Sequence, residues 1–378
     1  MSFDPANVNL NTADPAQVVC YIESDGNDYD GRLGARVSAL FVILIVSTAT
    51  TFFPVVARRV RWLKIPLYVY LFARYFGAGV IVATSFIHLL DPAYAEIGPN
   101  TCVGMTGNWA VYSWPPAIVL VSVMMIFLLD FCAERYVELK YGEQDGGDMQ
   151  EAVTGHADGP STEKMHGDAI LEDGNHSNIE SATAEKSAIT AQNAYMSKFD
   201  GADVSEEEMD EKARARSFQT QIAAFLILEF GVIFHSVIIG LNLGVAGSEF
   251  TILFPVLVFH QSFEGLGIGA RMSAIPFKRS SWLPWLLCSA YGLTTPIAIA
   301  IGLGLRTTYD PGSFTAQVVS GVLDSMSAGI LIYTGLVELL ARDFLFNPYR
   351  TKDTRRIIFM LACVFVGAGV MALLGKWA

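Results

Sequence analysis

An all-α integral membrane protein is the fold class this sequence predicts, and three observations predict it. Of 378 residues, 52% are hydrophobic and only 16% charged, with a mean hydropathy of +0.40. The uncharged residues gather into stretches that reach the roughly 20 residues a helix needs to cross a bilayer. The charge is just as uneven. The segment 138–217 holds 19 of the 37 acidic and 7 of the 25 basic residues, so it carries the whole net charge of −12. A chain that is neutral outside one acidic segment offers no basic face to nucleic acid, which is not an expected partner. The lipid bilayer is.

Taken in order, residues 1–33 are polar and acidic, with Asp4, Asp14, Glu23, Asp25, Asp28 and Asp30. They lack a cationic run followed by an apolar one, so they read as an extramembrane segment rather than a cleaved signal peptide. Residues 34–136 hold three spans, near 37–57, 67–90 and 114–133. Residues 137–217 are rich in Gly, Ser, Asp and Glu and poor in large apolar side chains. Such a segment cannot bury enough surface to offset its ordering entropy, and disorder is expected. Residues 218–378 hold five more spans, near 219–243, 250–270, 283–304, 316–340 and 357–375. The seventh is the most polar, with Asp324, Ser325, Ser327, Thr334 and Glu338, yet it is too long and apolar for a surface loop.

Eight spans put both termini on one side, and charge chooses the side. The links after spans one, five and seven carry Arg58, Arg59, Arg61 and Lys64; Arg271, Lys278 and Arg279; and Arg342, Arg350, Lys352, Arg355 and Arg356. The opposite links (91–113, 244–249 and 305–315) contain one base, Arg306. Basic links stay cytoplasmic, so both termini are expected outside or in a lumen, with the acidic segment in the cytoplasm. There the sequon Asn175-His-Ser177 is expected to stay unmodified. Cys20 and Cys102 fall together on the outer side, where a disulfide between them is permitted; two separate thiols are the alternative.

Ionisable groups at membrane depth default to function. Span four carries Glu229, His235, Ser236 and Asn242; span five carries His260, Gln261 and Glu264; span two ends in His88 and Asp91. His260 and Glu264 are four apart and share one helical face. A short loop makes spans four and five antiparallel neighbours, so His235 can face this pair near the bilayer midplane. Two imidazoles and a carboxylate suit a borderline divalent ion such as Zn²⁺. Ser236 and Gln261 are weaker oxygen donors beside them. Taken singly, His88 reads as a packing histidine and Asp91 as an interfacial carboxylate, and His88 is expected too near the outer surface to join the other two histidines. Arg74 is expected to snorkel or to pair with an acid.

These residues carry a resemblance. The strings His235-Ser-Val-Ile-Ile-Gly-Leu-Asn-Leu-Gly244 and His260-Gln-Ser-Phe-Glu-Gly265 are similar to the two central motifs of the Zrt/Irt-like (ZIP) divalent-metal transporters, fungal zinc permeases in particular. Phe86-Ile-His-Leu-Leu-Asp-Pro92 and Tyr333-Thr-Gly-Leu-Val-Glu-Leu-Leu-Ala-Arg-Asp-Phe344 also look like family segments. The resemblance implies a three-plus-two-plus-three bundle in which spans one to three and six to eight form an inverted repeat. It places the transported metal on His235, His260 and Glu264. Relatives that hold a second metal use an Asn, a Glu and an Asp where this chain has Ser236, Ile239 and Gln261, which implies one well-held ion. Glu229 matches a recurrent family residue on a different helical face from His235. Glu338 falls on the cytoplasmic exit route, past His88, Asp91 and Asn242. His156, His166 and His176 sit where family loops bind or sense metal, with an incidental acidic linker as the alternative.

The function so implied is import of Zn²⁺ by alternating access, with no cofactor and with the metal as substrate. Fe²⁺, Mn²⁺ and Cd²⁺ suit the same ligands, and uptake should weaken at low pH because the ligands bind deprotonated. The alternative is an intramembrane zinc hydrolase, in which the metal activates water; the absence of HExxH sets aside a zincin protease. A homodimer is compatible with the sequence, and Lys140, Lys164, Lys186 and Lys198 are candidate ubiquitin acceptors.

Overall fold

The computed structural model describes residues 8–9, 12–23, 29–60, 66–141, 206–308, 310–346 and 351–377. Every regular element among them is helical. In chain order they are α1 (Pro15–Glu23), α2 (Leu33–Arg59), α3 (Leu67–Ala83), α4 (Asp91–Ile97), α5 (Trp114–Tyr141), α6 (Glu206–Val245), α7 (Phe250–Ala274), α8 (Leu283–Leu305), α9 (Phe314–Tyr333) and α10 (Thr354–Leu374). Two π-helical stretches, Thr84–Leu90 between α3 and α4 and Thr334–Phe346 after α9, and a 3-10 turn at Gly107–Val111 complete the described set. The chain divides into two compact units, Met1–Val137 with Ser217–Ala378, and Glu138–Arg216. The packing and site described below belong to the first.

Among the described residues, seven helical stretches are long and apolar enough to cross a membrane: Leu33–Arg59, Leu67–Ile97, Trp114–Lys140, Arg214–Val245, Phe250–Ala274, Leu283–Leu305 and Thr354–Leu374. Each covers an expected span. The remaining expected span, 316–340, is helical through α9 and the π stretch but is not one of the seven. Expected disorder over 137–217 is corrected at both ends: α5 runs to Tyr141 and α6 starts at Glu206. Glu, Lys, Ala and Arg dominate 206–216, and these are strong helix formers. The loop positions His156, His166, His176, Asn175, Lys164, Lys186 and Lys198 lie outside the described residues.

Lipid is as apolar as leucine, so helices associate through close packing of small residues rather than by the hydrophobic effect. That rule is visible at each main crossing. A Cβ on Gly267 of α7 would lie 2.7 Å from the Gly77 Cα of α3. Gly79 of α3 abuts Val364 and Ala368 of α10, while Gly329 of α9 abuts Val119, Ser122 and Val123 of α5. Gly265 and Gly269 of α7 meet Thr51 of α2; Gly240 and Gly244 of α6 meet Ala298 and Gly302 of α8.

These contacts come in related pairs, and so does the sequence. Gly79-Val-Ile-Val-Ala-Thr-Ser-Phe-Ile-His-Leu-Leu90 parallels Gly329-Ile-Leu-Ile-Tyr-Thr-Gly-Leu-Val-Glu-Leu-Leu340. Both switch from α to π at the threonine, and buried positions recur in the same order through the two segments. The two copies run in opposite directions, since α9 begins at the end of the bundle where α3 gives way to α4. His88 and Glu338 therefore occupy equivalent places facing opposite ends.

Adding a methyl at the α3–α7 crossing should force backbones apart, at the roughly 1–3 kcal/mol typical of overpacking. Gly267→Ala is expected to lower the thermal midpoint of the detergent-purified protein by several degrees. Gly369→Ala, where a Cβ meets nothing within 4 Å, should leave it unchanged or slightly raised. Equal midpoints for the two variants would contradict this packing.

Candidate metal centre

α6 and α7 are joined by a turn of four residues, Ala246–Glu249, and this fold-back sets His235 opposite His260. Their Nε2 atoms are 3.3 Å apart. One turn further along α7, Glu264 Oε1 lies 3.2 Å from the same His260 nitrogen. The three side chains are 0%, 1% and 0% exposed, and their candidate ligand atoms lie within 4.8 Å of one another.

The donors outnumber the protons available to them. Neither Glu264 oxygen receives a hydrogen bond among the described residues, and His235 Nδ1 has no partner. Lone pairs thus converge in a buried interface, where unpartnered polar groups are costly. Tetrahedral Zn²⁺ with ligands at about 2.0–2.1 Å requires them about 3.3 Å apart. The separations at His260 Nε2, 3.3 Å to His235 and 3.2 Å to Glu264, suit such an ion.

His88 stands beside this group. Its Nε2 donates to the Met371 carbonyl of α10 at 3.3 Å, which leaves Nδ1 as the lone-pair nitrogen. Its ring packs edge-on to that of His260, centroids 4.9 Å apart. The expected shallow position of His88 is corrected here. The π turn adds a residue to the helical period and rotates His88 inward, which straight helical counting does not foresee.

Other expected residues stand apart. Ser236 is buried with its hydroxyl unpartnered, outside the three-residue group. Gln261 is turned to α8: the Tyr291 hydroxyl donates to its Oε1 at 2.8 Å and to its main-chain oxygen at 3.0 Å. Glu229 is 2% exposed, with neither oxygen hydrogen-bonded among the described residues, and lies outside the group. Asp91 and Asn242 line a cavity of about 720 Å³ that reaches His88 and His260.

That cavity opens at one end of the bundle; the other end is tied by ion pairs. Arg74 grips Asp343 through both branches, at 2.7–3.1 Å. Arg271 of α7 donates to the Glu338 carbonyl at 3.0 Å and lies 4.0 Å from Asp343. Arg342 pairs with Glu338 at 3.1 Å and approaches Asp130 of α5, which also accepts from the Tyr333 hydroxyl at 2.9 Å. Only about 10 Å³ of void remains between Arg74, Arg271 and Asp343. Sequence reasoning anticipated an acid for Arg74 but missed Asp130 and Asp343. Their signal was present, as acids in or beside apolar helices opposite unpaired arginines.

Cys20 and Cys102 are bridged. The bridge ties α1 to the loop after α4, at the open end, where Glu23 accepts from the Cys102 amide at 2.9 Å and from Gln317 at 3.2 Å.

The profile of the ZIP zinc transporter family matches residues 33–375. The chain belongs to that family. It is 54% identical to Zinc-regulated transporter 1 of Saccharomyces cerevisiae over all of its own length and 97% of that protein's. Identity is 40% to Zinc-regulated transporter 1 of Schizosaccharomyces pombe, covering 96% of this chain and 90% of the relative. It is 36% to Zinc-regulated transporter 2 of Saccharomyces cerevisiae, covering 93% and 96%. No solved structure matches the chain. As a ZIP protein it is a transporter rather than an enzyme, and nothing supports the hydrolase alternative.

The ion-pair end yields a stability test. Asp343→Asn leaves Arg74 and Arg271 without their shared acid, and breaking a buried pair costs about 3–5 kcal/mol. A clear drop in thermal midpoint is expected, partly recovered when Arg74→Met is added. An unchanged midpoint for Asp343→Asn would contradict the pairing.

Proposed function

We propose that this ZIP protein imports Zn²⁺ across the plasma membrane by alternating access, with His235, His260 and Glu264 as the central ligands. The observation that carries this reading is the cavity that ends on the histidines while ion pairs seal the opposite end. Among the described residues the cavity reaches the metal group from one side, as an intermediate of alternating access requires.

The ion sheds water in the outer cavity, past Asp91 and Asn242, and meets His88 at its floor. His88, oriented by Met371, passes it to the central group. Release inward requires the Arg74, Arg271 and Arg342 pairs to part, and Glu338, the counterpart of His88 in the repeat, receives the ion on the exit side. Ser236 and Gln261 stay outside the coordination. His156, His166 and His176, on the acidic segment, are the candidate ligands for the ion once it has crossed.

The same reading sets the topology. Arg58, Arg59 and Arg279 share the sealed end, and the Cys20–Cys102 bridge marks the open end as the oxidising side. The sealed end is then cytoplasmic by the positive-inside rule. α9 with its π stretch completes an eighth crossing, its polar groups facing α4, the Thr84–Leu90 turn and the cavity rather than lipid. Both termini lie outside. Histidine and carboxylate accept several divalent ions; zinc is preferred here from the names of the relatives.

Loss of a metal ligand should cost more than the 10–100-fold typical of outer-shell changes. His260→Ala and Glu264→Ala, checked for surface delivery, are therefore expected to abolish uptake of radiolabelled zinc. Uptake at the normal rate by either variant would overturn the assignment.

A further inference from the structure

We propose that the outer cavity holds a second cation-binding site, separate from the central group, formed by Glu96 of α4 with Ser320 and Asp324 of α9. Its role as the capture point for the incoming ion rests on the transport reading above; its existence does not.

Ser320 and Asp324 are four apart and so stack on one face of α9. α4 lies hard against that face, since a Cβ on Gly321 would come within 3.2 Å of Glu96 Cβ. All three side chains line the cavity. Asp324 is 4% and Ser320 9% exposed. Asp324 makes no hydrogen bond or ion pair among the described residues, and Glu96 faces both it and the Ser320 hydroxyl. A buried carboxylate of this kind is retained at a cost unless something fills its coordination.

The charge of the cavity says what that is. Its lining includes Glu23, Asp91, Glu96, Glu249 and Asp324, and no Lys or Arg. Low-dielectric walls carrying one sign of charge concentrate counter-ions. The fill is therefore a cation, and two carboxylates plus a hydroxyl offer only oxygen. Hard oxygen donors suit an ion that keeps part of its water shell and discriminate weakly among divalent metals. The central site, with its imidazole nitrogens, is the selective one. A loosely held outer ion and a tightly held inner one divide capture from selection, and Asp324 and Glu96 stand upstream of His88 in the same cavity.

The test counts bound zinc on purified full-length protein by equilibrium dialysis and elemental analysis. Glu96→Gln/Asp324→Asn is expected to hold one zinc fewer per chain than the parent, both in the wild-type protein and in a His260→Ala/Glu264→Gln background. Because each comparison is a difference, metal on the acidic segment cancels. The same count with and without the two substitutions would overturn the outer site. Should the double variant fail to fold, Asp324→Asn alone is read by uptake. Its zinc concentration for half-maximal uptake should rise on the order of tenfold, the lower end of charge focusing in a cleft, and an unchanged value would overturn the proposal. Absence of zinc uptake by the wild-type protein would sink the transport reading while leaving the zinc count to decide the site.

Discussion

Around His260 Nε2 the second histidine and the carboxylate crowd within about 3.3 Å, and all three side chains are buried. Polar groups held so close without enough protons to bridge them repel one another, and a divalent cation relieves that repulsion. Much of the neighbouring architecture serves to hold these groups in place. α6 and α7 bring them together through a four-residue turn. The glycines of α7 let α2 and α3 approach near backbone contact, which leaves the site no lipid-facing side.

The inverted repeat adds direction to the site. Equivalent π turns place a histidine toward the open end and a glutamate toward the ion-paired end, at matching positions of opposite-running helices. The two ends nonetheless differ in charge pattern. One is a cavity of acids without bases; the other interleaves arginines and acids into a seal. An acidic mouth draws cations in, whereas a neutralised seal holds until its pairs exchange partners. Arg271 lies on the same helix as His260 and Glu264, so any movement of α7 is felt at the seal.

Much of this was legible in the sequence because lipid imposes simple rules. Span positions followed from length and apolarity, and the i,i+4 spacing of His260 and Glu264 named two ligands that the fold sets together. His235 was legible because a short loop makes its helix the antiparallel neighbour of α7. What sequence reading missed has identifiable physical causes. The depth of His88 depends on a π turn, which adds a residue that helical counting does not foresee. Asp343 and Asp130 meet their arginines across large sequence separations that periodicity does not relate. Asp324 looked like a blemish in a polar span, since neither its burial against α4 nor its cavity could be seen. The helical continuations to Tyr141 and from Glu206 were hidden by a composition that resembles disorder.

The central claim is that zinc rests on imidazole nitrogen as well as carboxylate oxygen inside the bundle. X-ray absorption at the zinc edge, on protein loaded with one zinc per chain, tests this most directly. A first shell of nitrogen and oxygen at about 2.0–2.1 Å, with multiple scattering from at least two imidazoles, is the predicted spectrum. A shell of oxygen alone would contradict the account, because it would place the tightly held ion on carboxylates and water instead of on His235, His260 and Glu264.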